Sequence, residues 1–284
     1  MTKLSLRPIL PQPVSWLGGI VLSLSMLIAS FASAQMDVPV GSNTIGALPA
    51  RFELEAIPGQ ILNETTNIFV QNNRRLSIEP ELLDWGLNQQ GSVFFVDANT
   101  LSGSASSWVS FDLNMFELAR DQQRSIPFTI SVPDNTPSGV YRTALTFAIE
   151  PLEEDGMPLQ DQQVRVNIRR RVAVIVYVTV GSVTTDSRVS DAFLENGGTR
   201  PESVFVVNNV GTSLLRLNGH IEYIGTDGRV IHRDAISERV VLPEGLSEFR
   251  RPLPDDLPSR AVLATLNLTD SRSGIELYGE IPLP

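Results

Sequence analysis

The chain has 284 residues, a net charge of −10 at pH 7 and no cysteine. The missing cysteines exclude disulfides and a lipoprotein anchor cysteine. The negative charge argues against general binding to nucleic acid or to an anionic membrane, because both need a basic surface. After removal of a leader peptide, the remaining length suits two domains of ordinary size, each large enough to bury its own core.

The start of the chain has the pattern of a secretory signal peptide. Lys3 and Arg7 supply its basic end, residues 16–28 are mainly apolar, and the Ala-Ser-Ala sequence at residues 32–34 is typical of a cleavage site. The apolar run is shorter than the ~20 residues that span a bilayer, which favours cleavage over a membrane anchor. We therefore expect a soluble periplasmic protein without membrane insertion. Loss of Lys3 and Arg7 changes its net charge from −10 to −12 and leaves no lysine.

Short β-like runs follow one another through the first half, separated by turns rich in Pro, Gly, Asn and Asp. The predicted strands lie around Phe52–Leu54, Thr66–Val70, Leu76–Trp85, Ser92–Val96, Ile126–Val132 and Tyr141–Ile149. Residues 111–121 are ambiguous, and a helical turn is one interpretation of them. Tyr141 follows the turn of residues 133–139, where immunoglobulin-like folds place a tyrosine whose hydroxyl bonds back to the backbone. An ordinary core tyrosine is the alternative.

The segment Val164–Val180 (VRVNIRRRVAVIVYVTV) is the most informative part of the sequence. Its first part alternates apolar and polar side chains, and the apolar ones are Val164, Val166 and Ile168. From Val172 onward both faces are apolar, and three consecutive arginines at residues 169–171 separate the two patterns. At about 3.3 Å per residue, the extended segment spans about 55 Å, more than an ordinary strand. It either crosses into the next domain or overhangs its own sheet, where a free edge is able to pair with another chain.

The second half repeats the pattern of strands and turns and begins near Gly181, where we expect a hinge. Strands are predicted around Val204–Val207, Leu215–Tyr223, Val240–Leu242, Val262–Leu268 and Ile275–Ile281. The Thr-Asp-Gly sequence at residues 226–228 is a strong hairpin signal. The predicted fold class is therefore all-β: two tandem immunoglobulin-like β-sandwich domains, residues 35–180 and 181–284, after a cleaved signal peptide at residues 1–34.

Sequence signatures of catalysis are nearly absent. His220 and His232 lie in separate segments, and no nucleophile elbow, zinc-spaced ligand pair, phosphate loop or calcium loop accompanies them. We expect no enzymatic activity, no catalytic residue, no metal and no cofactor. The arginine triplet is the best candidate site. Its charges either discourage unwanted pairing of an edge strand, or one guanidinium captures a carboxylate through its planar set of N–H donors.

Several motifs occur together in one order along the chain. They are Trp108, residues 126–133 (IPFTISVP), residues 138–141 (SGVY), the long strand before Gly181, Asn208-Asn209 and residues 241–245 (VLPEG). With them the chain resembles the PapD-like family, the periplasmic chaperones of the chaperone–usher pilus pathway, over nearly all of its mature length. In that family, the strand before the hinge lends apolar side chains to a pilus subunit that lacks its last strand. The resemblance implies this role for Val164, Val166 and Ile168. It also implies pilus or surface-protein subunits as partners, and an outer-membrane usher as a further one.

The same family anchors the subunit's C-terminal carboxylate with a buried Arg–Lys pair in the cleft between the domains. Alignment of the donor strands puts Ala173 at the lysine position, while the first-strand arginine falls near Glu55, with Arg51 close by. Arg171 lies two residues before Ala173, on the same side of the strand, and is able to replace the lysine. The candidate carboxylate anchors are therefore Arg171, Arg169 and Arg51.

A second resemblance leaves another function open. Exported immunoglobulin-like modules that bind cell-wall surface proteins share the Pro58-Gly59 pair and the SGVY sequence at residues 138–141. The alternative function is a non-enzymatic structural or binding module of a cell-envelope complex, with the long strand internal to the protein. A neighbouring strand of the same chain along residues 164–170 favours this module, and an open edge there favours the chaperone.

Overall fold

A computed structural model describes residues 44–71, 75–151, 170–196, 198, 200–255, 257 and 260–284. The predicted signal peptide lies outside these ranges. Residues 41–284 form one compact unit. Among the described residues, no helix is long and apolar enough to cross a bilayer. The predicted all-β class is confirmed, because the regular structure described consists of strands and one short 3₁₀ turn, Ser106–Trp108.

Ten strands precede Gly181 and seven follow it. The first ten are β1 (Thr44–Leu48), β2 (Arg51–Ala56), β3 (Ile61–Gln71), β4 (Leu76–Leu87), β5 (Val93–Asp97), β6 (Val109–Phe111), β7 (Phe116–Leu118), β8 (Gln123–Ser131), β9 (Gly139–Pro151) and β10 (Arg170–Val180). The others are β11 (Ser187–Glu195), β12 (Glu202–Asn209), β13 (Leu215–Gly225), β14 (Val230–Val241), β15 (Leu246–Pro252), β16 (Ala261–Asp270) and β17 (Glu276–Pro282).

The first ten strands form two sheets that pack face to face. One sheet has the order β1-β3-β8-β6, and the other has the order β2-β10-β9-β4-β5 with β7 paired to β4. Ile68 and Ile130 of the first sheet share one buried core with Phe147 and Val176 of the second. Alternation along each strand directs every second side chain into this core, where each large apolar residue contributes about 1.5–3 kcal/mol. This arrangement is a β-sandwich.

The tyrosine at the end of the β8–β9 turn has the predicted role. The hydroxyl of Tyr141 donates a hydrogen bond to the Pro137 carbonyl oxygen at 3.0 Å, and its ring lies 4.5 Å from that of Trp108. The side chain thus fixes the corner from which β9 enters the sheet, as the tyrosine of immunoglobulin-like folds does. The prediction of a backbone-bonded tyrosine is confirmed.

The last seven strands form a second sandwich. Its sheets have the orders β11-β12-β15 and β14-β13-β16-β17, and Phe205 and Phe249 of the first share a core with Tyr223 and Leu266 of the second. The predicted hairpin at residues 226–228 joins β13 to β14, which pair in antiparallel register. The two-sandwich architecture is thereby confirmed, while the domain limits at residues 34/35 and 180/181 stay predictions.

Gly181 ends the last strand of the first sandwich. Its φ of +63° lies in the left-handed region that favours glycine, and a Cβ there would overlap the Ser138 hydroxyl. Its N–H donates to the Ala56 carbonyl oxygen at 3.2 Å, so the chain leaves the sheet directly after a closed ladder. The predicted boundary between the two domains lies at this residue and stays a prediction.

The ambiguous stretch at residues 111–121 contains no helical turn. β6 ends at its first residue and β7, which pairs with β4, lies inside it. The 3₁₀ turn comes earlier, at Ser106–Trp108. The interpretation of a helical turn was therefore wrong. The strand in this stretch has only three residues, too few for a period of two to be recognised in the sequence.

Candidate functional site

Strand β10 is paired on both sides along only part of its length. Arg170–Val180 form an antiparallel ladder with β9, and Ile175–Val180 form a parallel ladder with β2 on the other side. Among the described residues, no strand pairs with residues 170–174 on the β2 side. Within the described part of the chain, β10 therefore begins with its β2 side unpaired, and β2 pairs with it from Ile175 onward; this unpaired side at residues 170–174 is called the open edge.

The backbone N–H groups of β10 alternate between these two sides. Ile175 donates its N–H to the Ala50 carbonyl oxygen at 2.9 Å, on the β2 side. Because successive N–H groups of a strand point in opposite directions, those of Arg171 and Ala173 point to the same side, toward the open edge. The N–H groups of Val172 and Val174 point to β9. The open edge thus presents two donors to an additional strand.

The side chains of β10 alternate between two faces, one in the core of the first sandwich and the other against the second sandwich. Val174, Val176 and Val178 are fully buried in the core of the first sandwich. On the opposite face, Ile175 and Tyr177 pack into a separate cluster with residues of the second sandwich. The buried valines hold β10 in place, so an added strand would meet a rigid edge.

The candidate arginines do not form one cluster. Arg171 is bonded to Glu81, with an Nη2–Oε2 distance of 2.7 Å. Arg51 begins β2 opposite Ile175, four positions along β10 from Arg171 or about 13 Å, and its Nε lies 3.2 Å from Glu53. Each guanidinium therefore has a carboxylate partner, although Glu53 is shared with other arginines. Arg169 and the three predicted donor residues, Val164, Val166 and Ile168, lie outside the described residues.

An apolar cluster joins the two sandwiches beside β10. Trp85, Ala144 and Tyr177 of the first sandwich pack with Leu214 and Leu242 of the second, and all five are buried. The rings of Trp85 and Tyr177 meet edge to face at 5.3 Å. Burial raises the pKa of the Tyr177 hydroxyl to about 12, so the group is neutral at physiological pH. Because this contact is apolar and buried, it restrains the second sandwich relative to β10.

Charged residues complete the junction. Arg216 of β13 is almost fully buried and pairs with Glu53 of β2 in the first sandwich. Its other terminal nitrogen lies 3.0 Å from Glu238 of β14. A buried guanidinium without carboxylates would be costly, so these pairs compensate its desolvation. Arg216 was not among the predicted residues, since a single arginine in a strand gives no sequence signal.

A second contact between the sandwiches is made by the β4–β5 turn. The Glu248 N–H of β15 donates to the Gln89 carbonyl oxygen at 2.7 Å, and the Gln90 side-chain amide donates to the Glu248 carboxylate at 3.2 Å. Nearby, the buried Asn209 side chain donates to the carbonyl oxygens of Ser213, Val241 and Leu242. Asn209 is part of the Asn-Asn motif noted in the sequence, and its role is to fix the turns of the second sandwich that face the first.

The two histidines each lie near one acidic side chain. His220 Nε2 is 3.4 Å from Glu222, and His232 Nε2 is 3.1 Å from Asp234. Each pair is formed within one strand, and no group of three potential metal ligands occurs among the described residues. The histidines thus belong to strand surfaces of the second sandwich.

Comparison with known proteins gives structural similarity only. No family model matches the chain, and no curated protein matches it. The solved structures similar to it include the class 5 fimbriae chaperone CfaA, with a TM-score of 0.45, 11% identity, and coverage of 84% of this chain and 100% of that one. The pre-assembly complex of the chaperone CsuC and the tip adhesion subunit CsuE of Acinetobacter baumannii matches with a TM-score of 0.45 and 12% identity over 84% of this chain and 98% of that one. A protein of unknown function from Porphyromonas gingivalis W83 has a TM-score of 0.30, 14% identity, and coverage of 84% and 99%.

Proposed function

We propose that this protein is a non-enzymatic periplasmic chaperone that binds β-rich pilus or surface-protein subunits by adding a strand to them. The observation that carries the proposal is that no described strand pairs with residues 170–174 of β10 on the β2 side. An edge with free N–H and C=O groups is a template for pairing with another chain. The alternating sequence before Arg170 would extend this template.

Backbone hydrogen bonds along the edge would give affinity, and alternate side chains would give the register. Val164, Val166 and Ile168 are the proposed donor side chains, because they form the apolar half of the alternating segment. Folding of the subunit around the lent strand would supply the free energy, so no nucleotide is required. An outer-membrane usher is a proposed further partner.

Arg171, Arg169 and Arg51 remain the proposed anchors for a subunit carboxylate. Of the two described ones, Arg171 is the better placed, because it lies within the unpaired part of β10 and its side chain is partly exposed. Its pair with Glu81 would have to exchange for the incoming carboxylate. A partly exposed pair contributes about 0–1 kcal/mol, so such an exchange costs little.

The test is capture of the partner from the native envelope. Val166→Asp places a charge on the apolar face of the donor segment, and Asn167→Asp places the same charge one residue later, on the opposite face. We expect the tagged wild type and Asn167→Asp to retain a small β-rich partner in near-stoichiometric amount, and Val166→Asp to lose it while staying folded. Equal capture by both variants would refute the proposed donor face.

A structural or binding module of an envelope complex is the second candidate. It is favoured by the buried cluster and the Arg216 ion pairs, which tie the two sandwiches together. In such a module the partner would bind a surface other than the β10 edge, and capture would survive Val166→Asp. The same purification therefore separates the two functions.

A further inference from the structure

A cavity of about 170 Å³ lies between the two sandwiches, away from the open edge of β10. Its first wall comes from the end of β4, from β5, from the loop after β5 and from β9, and its second wall comes from the turn between β14 and β15. Residues lining it include Leu87, Phe94, Ser102, Arg142, Leu242 and Leu246. Asn88 and the backbone at Gly86 and Gly245 also line it, so the lining is mixed, with polar groups beside the leucine and phenylalanine side chains.

Arg142 is the cation in this wall, and it is half-buried. Its Nε donates to the Trp85 carbonyl oxygen at 3.0 Å, which fixes the plane of the guanidinium. Its other guanidinium nitrogens have no hydrogen bond or ion pair with the described residues. Burial lowers the pKa of Arg142, and the nearby charge of Asp84 opposes this shift. The group is still a cation at neutral pH.

The neighbouring carboxylate is not available to Arg142. Asp84 accepts hydrogen bonds from the hydroxyls of Ser104 and Ser106 and from the backbone N–H groups of Thr100 and Leu101, at 2.5–2.8 Å. These four donors use the directions from which a carboxylate accepts hydrogen bonds. The charge of Asp84 therefore attracts Arg142 without giving it a direct partner.

Among the described half-buried arginines, Arg239 and Arg251 also lack an ion pair, but their terminal nitrogens donate to backbone carbonyl oxygens. Arg216 has carboxylates on both sides, and Arg250 pairs with glutamates at residues 195, 202 and 248. A desolvated charge without a bonded counter-charge costs several kcal/mol in general. Arg142 instead faces an open space, and that space is where a counter-ion would fit.

We propose that this cavity binds a small monocarboxylate, with Arg142 as the residue that pairs with the carboxylate oxygens. A cavity of about this size holds a molecule of about six non-hydrogen atoms, and the planar guanidinium matches the two oxygens of a carboxylate. Leu87, Phe94 and Leu242 would contact a short aliphatic body. The carboxylate comes either from a free acid or from the terminal residue of a bound chain. This site does not depend on strand donation by β10.

The test uses isobutyrate as the probe and isobutyramide, its neutral equivalent of the same shape, as the control ligand. Amide NMR signals of Ser102 and Gly245, which line the cavity, are followed in the mature wild-type protein at constant ionic strength. We expect saturable shifts with isobutyrate and none with isobutyramide. Equal responses to both, or no response up to about 100 mM isobutyrate, would overturn the proposal.

Two variants locate the binding. Arg142→Gln should weaken isobutyrate binding about tenfold or more, and Arg188→Gln, which removes an exposed arginine of β11, should leave it unchanged. Should Arg142→Gln fail to fold, Ser102→Phe, at an exposed position of the cavity lining, narrows the space and should weaken binding in the same way. Undiminished binding in a folded Arg142→Gln or Ser102→Phe protein would contradict the site.

A third comparison separates the two sources of the carboxylate. N-acetyl-alanyl-valine with a free C-terminus is titrated beside isobutyrate, and its C-terminal amide serves as the control. Binding of the peptide acid about tenfold tighter than isobutyrate assigns the site to a chain terminus. Equal or weaker binding assigns it to a free acid. Either result supports a carboxylate site, and binding of the peptide amide as tight as that of the acid would contradict it.

Discussion

Asp84 is a buried carboxylate whose four hydrogen-bond donors close the loop between β5 and the 3₁₀ turn. Burial alone raises the pKa of this group, but the hydrogen bonds from Ser104, Ser106 and Leu101 outweigh it, and the pKa lies below its usual value of 3.8. A group whose pKa is lower in the folded protein stabilises the fold above its unfolded pKa. This stabilisation is lost as the pH falls through the folded value.

We therefore predict that Asp84→Asn lowers the free energy of unfolding at pH 7 by about 2 kcal/mol, because it replaces an ionised acceptor of four hydrogen bonds. Between pH 7 and about pH 3, the variant should lose less stability than the wild type, since this carboxylate no longer titrates. Urea unfolding at both pH values measures the effect. Asp97→Asn, at an exposed position of β5, should behave as the wild type. An unchanged acid dependence in Asp84→Asn would contradict this role.

At the scale of elements, the two edges of β10 differ in backbone hydrogen bonding. Its even-numbered residues from Val172 bond to β9, and the N–H groups of Arg171 and Ala173 point to the open side. A proline removes one N–H and is tolerated in a sheet only where that N–H is not used. Neighbouring proline substitutions should therefore have opposite consequences.

We predict that Ala173→Pro folds with a loss of less than about 1 kcal/mol, because it removes an unbonded N–H, but that it fails to capture the envelope partner. Val172→Pro, one residue away, should lose about 3 kcal/mol or more, because its N–H is part of the ladder with β9. Urea unfolding and affinity purification measure the two effects. Full partner capture by Ala173→Pro would show that this edge is not the binding surface.

Clean alternation of side chains made some strands predictable from the sequence. β8 was predicted from Ile126, Phe128 and Ile130, which fill every second position and are all buried. β11 was missed because a bulge between Val189 and Asp191 shifts its register. β15 was missed because charged residues occupy much of its sequence (LSEFRRP). In the folded protein, burial of one face stabilises both strands despite the bulge and the charged residues. That burial cannot be recognised from a single sequence.

At the scale of the whole molecule, the sequence predicted two sandwiches and the long strand between them, because both follow from local patterns. The contacts between the sandwiches were not predictable. Arg142 and Arg216 lie in strands more than seventy residues apart, and their partners are determined by packing. Cavities and ion pairs of this kind depend on how the two sandwiches pack against each other. The spacing of residues along the sequence does not reveal that packing.

The junction also bears on how the protein would hold a partner. A buried apolar cluster, the Arg216 pairs and the backbone hydrogen bond from Glu248 to Gln89 restrain the second sandwich beside β10. A preorganised surface loses less conformational entropy on binding than a mobile one. The open edge of β10 would therefore be available to a partner without rearrangement of the two sandwiches.

The most direct test of this account is amide hydrogen exchange, measured residue by residue by NMR in the dilute, partner-free mature protein. We predict that the amides of Arg171 and Ala173 exchange at least about a hundredfold faster than those of Val172 and Val174, which are bonded to β9. Addition of the captured partner should slow the first two and leave the others unchanged. Equal protection of all four amides in the free protein would mean that its own chain covers the edge, and would contradict strand donation from β10.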